Sequence, residues 1–228
     1  MTIRVRGIYA TALTELFHDD PGVVQASPAI DDRFEDREFP TEPARVRIST
    51  TDDRQGVGVI GEPAHVRDVA GTLGTVGIDT LCWRDRTPAG AIFDGVVEET
   101  LGSGAVVRLD KSEEFAARME SERGNEREGI PPVATEPEGF LPYRNADDRI
   151  ETGDTVRVQV RAPRPPWSDD RAVLDTAIRV ERSLLTLQRG GVSGTGGPHL
   201  GDVLPIDPPA AWGVRWAQAS EDASLDGL

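Results

Sequence analysis

Apolar positions along the chain come in short runs with strand or helix spacing, and nowhere in a long block. Residues 2–6 set Ile3 and Val5 between Arg4 and Arg6, which is the period of a half-buried strand. In 8–17, Leu13, Leu16 and Phe17 fall on one side of a short amphipathic helix. A short strand is expected at 22–25 and a helical turn at 28–34. Strands follow at 44–49, where Val46 and Ile48 alternate with arginines, and at 56–60. Pro63 suits the first position of a helix running to about residue 73. Residues 78–83 read as a strand carrying Cys82. This first part is mixed α/β, with helices packed on a small sheet.

The pattern changes near Pro88. Residues 91–100 and 105–109, joined by a turn at 101–104, form a hairpin. Residues 112–138 are charged, rich in Pro and Gly and poor in apolar side chains, so a mobile insertion is expected. A short strand follows at 139–142 and a turn at 151–154. Residues 155–161 are a clear strand, with Val156, Val158 and Val160 on one face and Arg157, Gln159 and Arg161 on the other. Short strands in this succession suggest a small closed barrel of the OB type. Two further strands are expected at 172–180 and 184–188, then a Gly-rich loop at 189–197 and a Pro-rich acidic tail at 206–228.

The charge changes the picture. The 228 residues hold 25 Lys and Arg against 40 Asp and Glu, a net charge of −15, and Lys111 is the only lysine. This is the composition expected of a protein from a high-salt cytoplasm, where the Debye length falls to roughly 3 Å at 1 M salt. Acidity then argues only weakly against nucleic acid, and any binding must lean on stacking and direct hydrogen bonds. Most surface carboxylates are expected to serve solubility. Residues 155–197 run against the trend: seven arginines and four acids give +3, a candidate site for an anionic partner. No apolar run is long enough to cross a membrane as a helix, and the N-terminus lacks the apolar core of a signal peptide. A lone cysteine allows no internal disulfide and no multi-cysteine zinc site, so a reducing, cytoplasmic location is expected.

Several segments also resemble a known family. Ile3-Arg-Val-Arg-Gly-Ile-Tyr-Ala-Thr-Ala-Leu-Thr14 looks like the start of the archaeal AU-rich-RNA-binding proteins, probable ribonucleases acting on ribosomal RNA precursors and related to ribonuclease E/G. Ala91-Ile-Phe-Asp-Gly-Val-Val-Glu-Glu-Thr100 resembles the first barrel strand of the ribonuclease E/G RNA-binding domain. Gly139-Phe-Leu-Pro142 is similar to its GFLP element, and Asp154-Thr-Val-Arg-Val-Gln-Val-Arg161 to its last barrel strand. Residues 172–187 are similar to the strands where the family chain leaves the barrel. The resemblance implies an α+β fold, a small mixed α/β subdomain with an inserted five-stranded OB-fold β-barrel. Residues 1–87, completed by 171–205, would form the subdomain, and 88–170 the RNA-binding barrel. It also implies an endoribonuclease on single-stranded, AU-rich RNA, with rRNA precursors as substrate. The family's catalytic region lies beyond the matched part, so a further C-terminal domain or a partner chain is expected to supply it.

OB barrels bind single strands by stacking bases on aromatics beside a positive groove. Phe140 and Tyr143 are the aromatic candidates, with Arg108, Arg144, Arg157 and Arg161 as partners for phosphates or base edges. Where the family has a basic residue after the last barrel strand, this chain has Ala162 with Arg161 and Arg164 beside it; where it has an aromatic on the second strand, this chain has Val106. Phe140 could equally sit in the barrel core, and Trp167 could either stack or cover the barrel mouth. The adjacent acids Asp31–Asp32 and Asp169–Asp170 are expected to be solvated. His18, His65 and His199 are too scattered for a motif, and Cys82 is expected to be a small buried residue. No cofactor is evident and no metal site is marked; Mg²⁺ is expected only if the chain cleaves RNA. The Gly-rich loop lacks the phosphate-loop arrangement and reads as a connector. The alternative function is a protein-interaction or assembly module using the barrel without RNA.

Overall fold

The computed structural model describes residues 1–109, 137–165, 167–182, 184–189, 208–217 and 220. Almost all of the expected insertion at 112–138 lies outside them, as do most of the Gly-rich loop and much of the tail. The chain divides into two compact units. One holds Met1–Leu81, Glu181–Leu187 and the described residues after 191, and the other Cys82–Val180 with Gln188–Gly190.

In the first unit, β1 (Ile3–Arg6) pairs in parallel with β2 (Val46–Thr50), and β2 pairs antiparallel with β3 (Val57–Gly61). Ile3, Val5, Val46 and Ile48 are buried on one face, as their alternation requires. Helices α1 (Ala10–Phe17) and α3 (Pro63–Val76) supply Leu13, Phe17 and Val69 to the same core. A helical turn, α2, covers Pro28–Asp31. Gly7 makes the turn from β1 to α1 at φ +104, and a Cβ there would lie 2.0 Å from Thr50 Oγ1, so only glycine fits.

Two strands expected before the barrel do not form. Residues 22–25 contribute only the bridge between Ile3 and Val23. Residues 78–83 form no strand: Ile78 is 96% and Leu81 63% exposed, and Cys82 is half-exposed rather than buried. An apolar run becomes a strand only where an edge accepts its backbone hydrogen bonds, and this one pairs with none.

The second unit is a closed barrel in the order β4-β5-β6-β8-β7. Its strands are β4 (Ile92–Leu101), β5 (Gly104–Leu109), β6 (Glu138–Pro142), β7 (Thr155–Ala162) and β8 (Ala172–Asp175). Strands β6 and β8 run parallel, and the other neighbours run antiparallel. This is the five-stranded OB arrangement expected from the sequence. Alternate residues fill the interior, among them Phe93, Val97, Val107, Leu141, Val158, Val160 and Leu174, with Ile150 packed against them. Register shifts at Val97/Glu99 and Val160/Ala162 supply the bends that closure needs.

The stretch 172–180 is not one strand. Asp175 turns its carboxylate onto the Ala177 N–H at 2.7 Å, a local bond that ends the ladder. Ala172–Asp175 stays in the barrel instead of leaving it, and Arg179–Glu181 begins again as β9. Strands β9, β10 (Leu185–Arg189) and β11 (Trp212–Trp216) form a separate sheet in the order β11-β10-β9.

Candidate nucleic-acid interface

Strand alternation fixes which barrel side chains face outward. On β5 and β6, Ala105, Val107, Leu109 and Leu141 are core residues, so Val106, Arg108, Glu138 and Phe140 point away from it. The register sets Val106 opposite Phe140 on one side and Val173 of β8 opposite it on the other. Phe140 is half-buried on this outer wall and is absent from the core cluster. Gly104 leaves room for it: a Cβ there would come within 2.6 Å of Phe140 Cζ and 2.4 Å of the Leu141 carbonyl oxygen.

Beside this apolar row runs a charged one. Arg108 pairs in register with Glu138, and Arg171, just before β8, donates to Glu138 at 3.2 Å. Arg108 also bonds Glu98 at 2.8 Å. The wall made by the second and third strands of an OB barrel, together with the loop between the fourth and fifth, is where such folds bind oligonucleotides. Here that wall carries Phe140 and Arg108 with Glu138, beside Val173 and Arg171 at β8; Val106 lies under it at 3% exposure. The loop carries Arg164 and Trp167.

Other candidates lie elsewhere on the barrel. Arg157 forks onto Asp94 at 2.7 and 2.8 Å, across the β4–β7 pair. That bond holds the Asp94 carboxyl below its ordinary range and raises the Arg157 guanidinium. Arg161 bonds Asp175 at 2.9 Å and also the Ala177 carbonyl and Gln159. Arg164 donates to the Ser168 carbonyl at 2.8 Å, within its own loop. Trp167 is 51% exposed and meets Trp83 edge to face, with ring centroids 5.1 Å apart. Tyr143, 41% exposed, starts the turn after β6, where its N–H bonds the Ser103 carbonyl. With Thr100, Asp148, Arg149, Glu151 and Thr152 it lines an open depression. Arg144 beside it is exposed and makes no ion pair among the described residues.

The structure therefore gathers Phe140 and Arg108 on one wall and Tyr143 and Arg144 on the turn that follows β6. Arg157 and Arg161 lie on β7, with β8 between them and Phe140. Two residues of the wall are not among the sequence candidates: Val173 and Arg171. Only the register reveals them, because it comes from pairing and not from local pattern.

Gln159 lies on the strand face opposite the valines, as the alternation requires, yet it is 3% exposed. Its amide donates to the Gly90 carbonyl at 3.0 Å and the Arg179 carbonyl at 2.7 Å. Its oxygen accepts from the Arg179 N–H at 2.9 Å and from Arg161 at 3.2 Å. These bonds anchor β7 to the chain leaving the barrel.

Among the described residues, no three His, Cys, Asp or Glu side chains gather to hold a metal ion. Among them, too, no helix is long and apolar enough to cross a membrane.

No protein-family model matches the chain. It is 50% identical over 224 residues to a protein of Haloarcula marismortui named probable ribonuclease FAU-1, covering 96% of this chain and 42% of that one. The protein of the same name from Natronomonas pharaonis is 43% identical, covering all of this chain and 45% of the relative. That of Haloquadratum walsbyi is 40% identical, covering 99% and 47%. A solved multidomain protein with nucleic acid binding domains from Streptococcus pneumoniae is only distantly alike, at 12% identity and a TM-score of 0.28 over 60% of this chain and 35% of that one. The chain spans somewhat under half the length of the curated relatives it matches, and over that span it belongs to the family of archaeal proteins named probable ribonuclease FAU-1.

Proposed function

We propose that this chain binds single-stranded RNA on the outer wall of its barrel, as the RNA-holding part of a ribonuclease. The observation that carries this reading is the paired rows on β5, β6 and β8. Phe140 and Val173, both half-buried beside the covered Val106, offer a surface for a base, and Arg108 and Arg171, each paired with a carboxylate, flank it. Base stacking on an aromatic is worth about 1–3 kcal/mol per base and tolerates high salt better than phosphate contacts do. Tyr143 and Arg144 extend the path beyond β6, and Trp167 and Arg164 extend it along the loop after β7. The relatives' name supports RNA as the partner. Their source, halophilic archaea, supports a high-salt cytoplasm as the working medium. An AU-rich target within ribosomal RNA precursors is the finer form of the proposal.

The test is binding of labelled single-stranded RNA against duplex RNA of the same sequence in molar KCl. The single strand binds more tightly, and AU-rich strands more tightly than GC-rich ones. Equal affinity for both forms contradicts the proposal. Cleavage is tested with labelled precursor RNA with and without Mg²⁺. A cut product in this assay assigns chemistry to the chain, and intact RNA after long incubation leaves it the binding part of a longer enzyme.

A second reading has one observation in its favour. Arg108, Arg157, Arg161 and Arg171 each face a carboxylate, so the barrel surface is less cationic than its arginine count suggests. A neutral, half-apolar wall also suits a protein partner. RNA binding that is unmeasurable at any salt concentration favours that assembly module.

A further inference from the structure

In the first unit, three arginines share one side of the small sheet. Ile3, Val5, Val46 and Ile48 are buried on the core side, so alternation turns Arg4, Arg6 and Arg47 to the other side. The parallel register sets Arg4 directly beside Arg47, and Arg6 lies two residues along β1. All three are half-buried. Adjacent like charges in a sheet are destabilising unless something compensates them. Each barrel arginine facing a carboxylate has that compensation within 3.2 Å. Among the described residues the sheet arginines have less: Glu181 stands 3.8 Å from Arg47 and acts on Arg4 through space, as Asp31 does on Arg6.

Neutral oxygens hold them instead. Arg6 donates to the Val5 carbonyl at 2.7 Å and to the Gln25 carbonyl at 2.7 Å. Arg4 makes a long 3.5 Å contact to Gln25 Oε1. Gln25 is itself buried, at 4% exposure, in a left-handed conformation at φ 51 that a side chain of its kind seldom adopts. Its amide is spent on the Glu42 and Thr41 carbonyls, which fixes both of its oxygens toward the arginines. A guanidinium oriented by carbonyl oxygens keeps its full charge and has donors to spare. Burial and the neighbouring arginines pull the Arg4 guanidinium below its ordinary value, and burial does the same for Arg6. Oriented charge that the described carboxylates compensate only in part is the arrangement that an arriving anion relieves.

We propose that Arg4, Arg6 and Arg47 form a phosphate-binding site, positioned by Gln25, that takes a phosphate of an RNA backbone. The source of the phosphate rests on the RNA reading above, whereas the site itself does not involve the barrel.

Two titrations test it on the full chain, over a KCl series in which circular dichroism shows each variant folded. One uses inorganic phosphate alone, and the other a single-stranded RNA oligonucleotide. Arg4→Gln and Arg47→Gln each weaken phosphate at least about tenfold, since charge-assisted hydrogen bonds are lost. Arg45→Gln, which removes an exposed arginine paired with Glu62, leaves it unchanged. If Arg4→Gln fails to fold, Arg47→Gln decides, because among the described residues its side chain makes a single ion pair, the 3.8 Å one to Glu181. For RNA, the slope of log affinity against log salt becomes shallower by about 0.7, the value for one phosphate on a single strand. Unchanged phosphate affinity in both variants overturns the site. Lost phosphate binding with an unchanged RNA slope overturns the RNA backbone as its source. Phosphate binding by a wild-type chain that binds no RNA also overturns that source, and it overturns the barrel reading separately.

Discussion

Gln159 and Asp85 show how single polar groups set the energetics of the barrel unit. Gln159 satisfies four partners from a position with almost no solvent contact. Replacing it with alanine strands the Gly90 and Arg179 backbone groups, at a cost of about 3 kcal/mol. Chemical denaturation should show this loss, and a variant as stable as wild type would disprove the anchoring role. Asp85 is half-buried, and burial pushes its carboxyl up despite hydrogen bonds from the Thr87 N–H and hydroxyl. A raised folded value means the ionised form is the disfavoured one in the fold. The stability tied to this carboxyl is therefore full in acid and is lost as pH rises through its folded value. Asp85→Asn should raise the melting temperature at pH 7, with the gain shrinking toward pH 4. A gain that does not vary with pH would contradict this account. Neither role was legible in the sequence. Gln159 occupies an outward position in a strand that alternates cleanly, and only the chain returning at Arg179 buries it.

At the scale of elements, legibility followed local pattern. The alternation in 155–161 and the glycine-flanked hairpin at 91–109 became β7, β4 and β5 because their backbones found partners in the register that their apolar residues demand. Residues 78–83 have similar apolar content and no partner, and they stay irregular. Trp212, Val214 and Trp216 alternate visibly in β11, yet the surrounding prolines hid the strand from a composition-led reading. In the site, Phe140 and Val106 were identifiable by motif, whereas Val173 and Arg171 needed the strand register. The wall itself yields a prediction. Gly104→Ala forces a Cβ against Phe140 and the Leu141 carbonyl, so it should cost about 2 kcal/mol by overpacking and weaken RNA binding by shifting the ring. A melting temperature and RNA affinity equal to wild type would show that the close approach has no bearing on the site.

For the whole molecule, the −15 net charge sets the working conditions. Self-repulsion of this size opposes the compact state and fades as salt shortens the Debye length from about 10 Å at 0.1 M to 3 Å at 1 M. The melting temperature should therefore rise between 0.1 M and 2 M KCl, even though exposed pairs such as Arg157–Asp94 weaken over the same range. A fall would mean that ion pairing, and not relief of repulsion, dominates. High salt also suppresses phosphate contacts, so under the proposed function stacking carries much of the RNA affinity and the aromatic on the barrel wall is the decisive group. The most direct test is the affinity of Phe140→Ala for single-stranded RNA in molar KCl, measured by fluorescence anisotropy with folding checked in parallel. The account predicts a loss of about 1–3 kcal/mol, roughly five- to 150-fold. Unchanged affinity in a folded variant would contradict it.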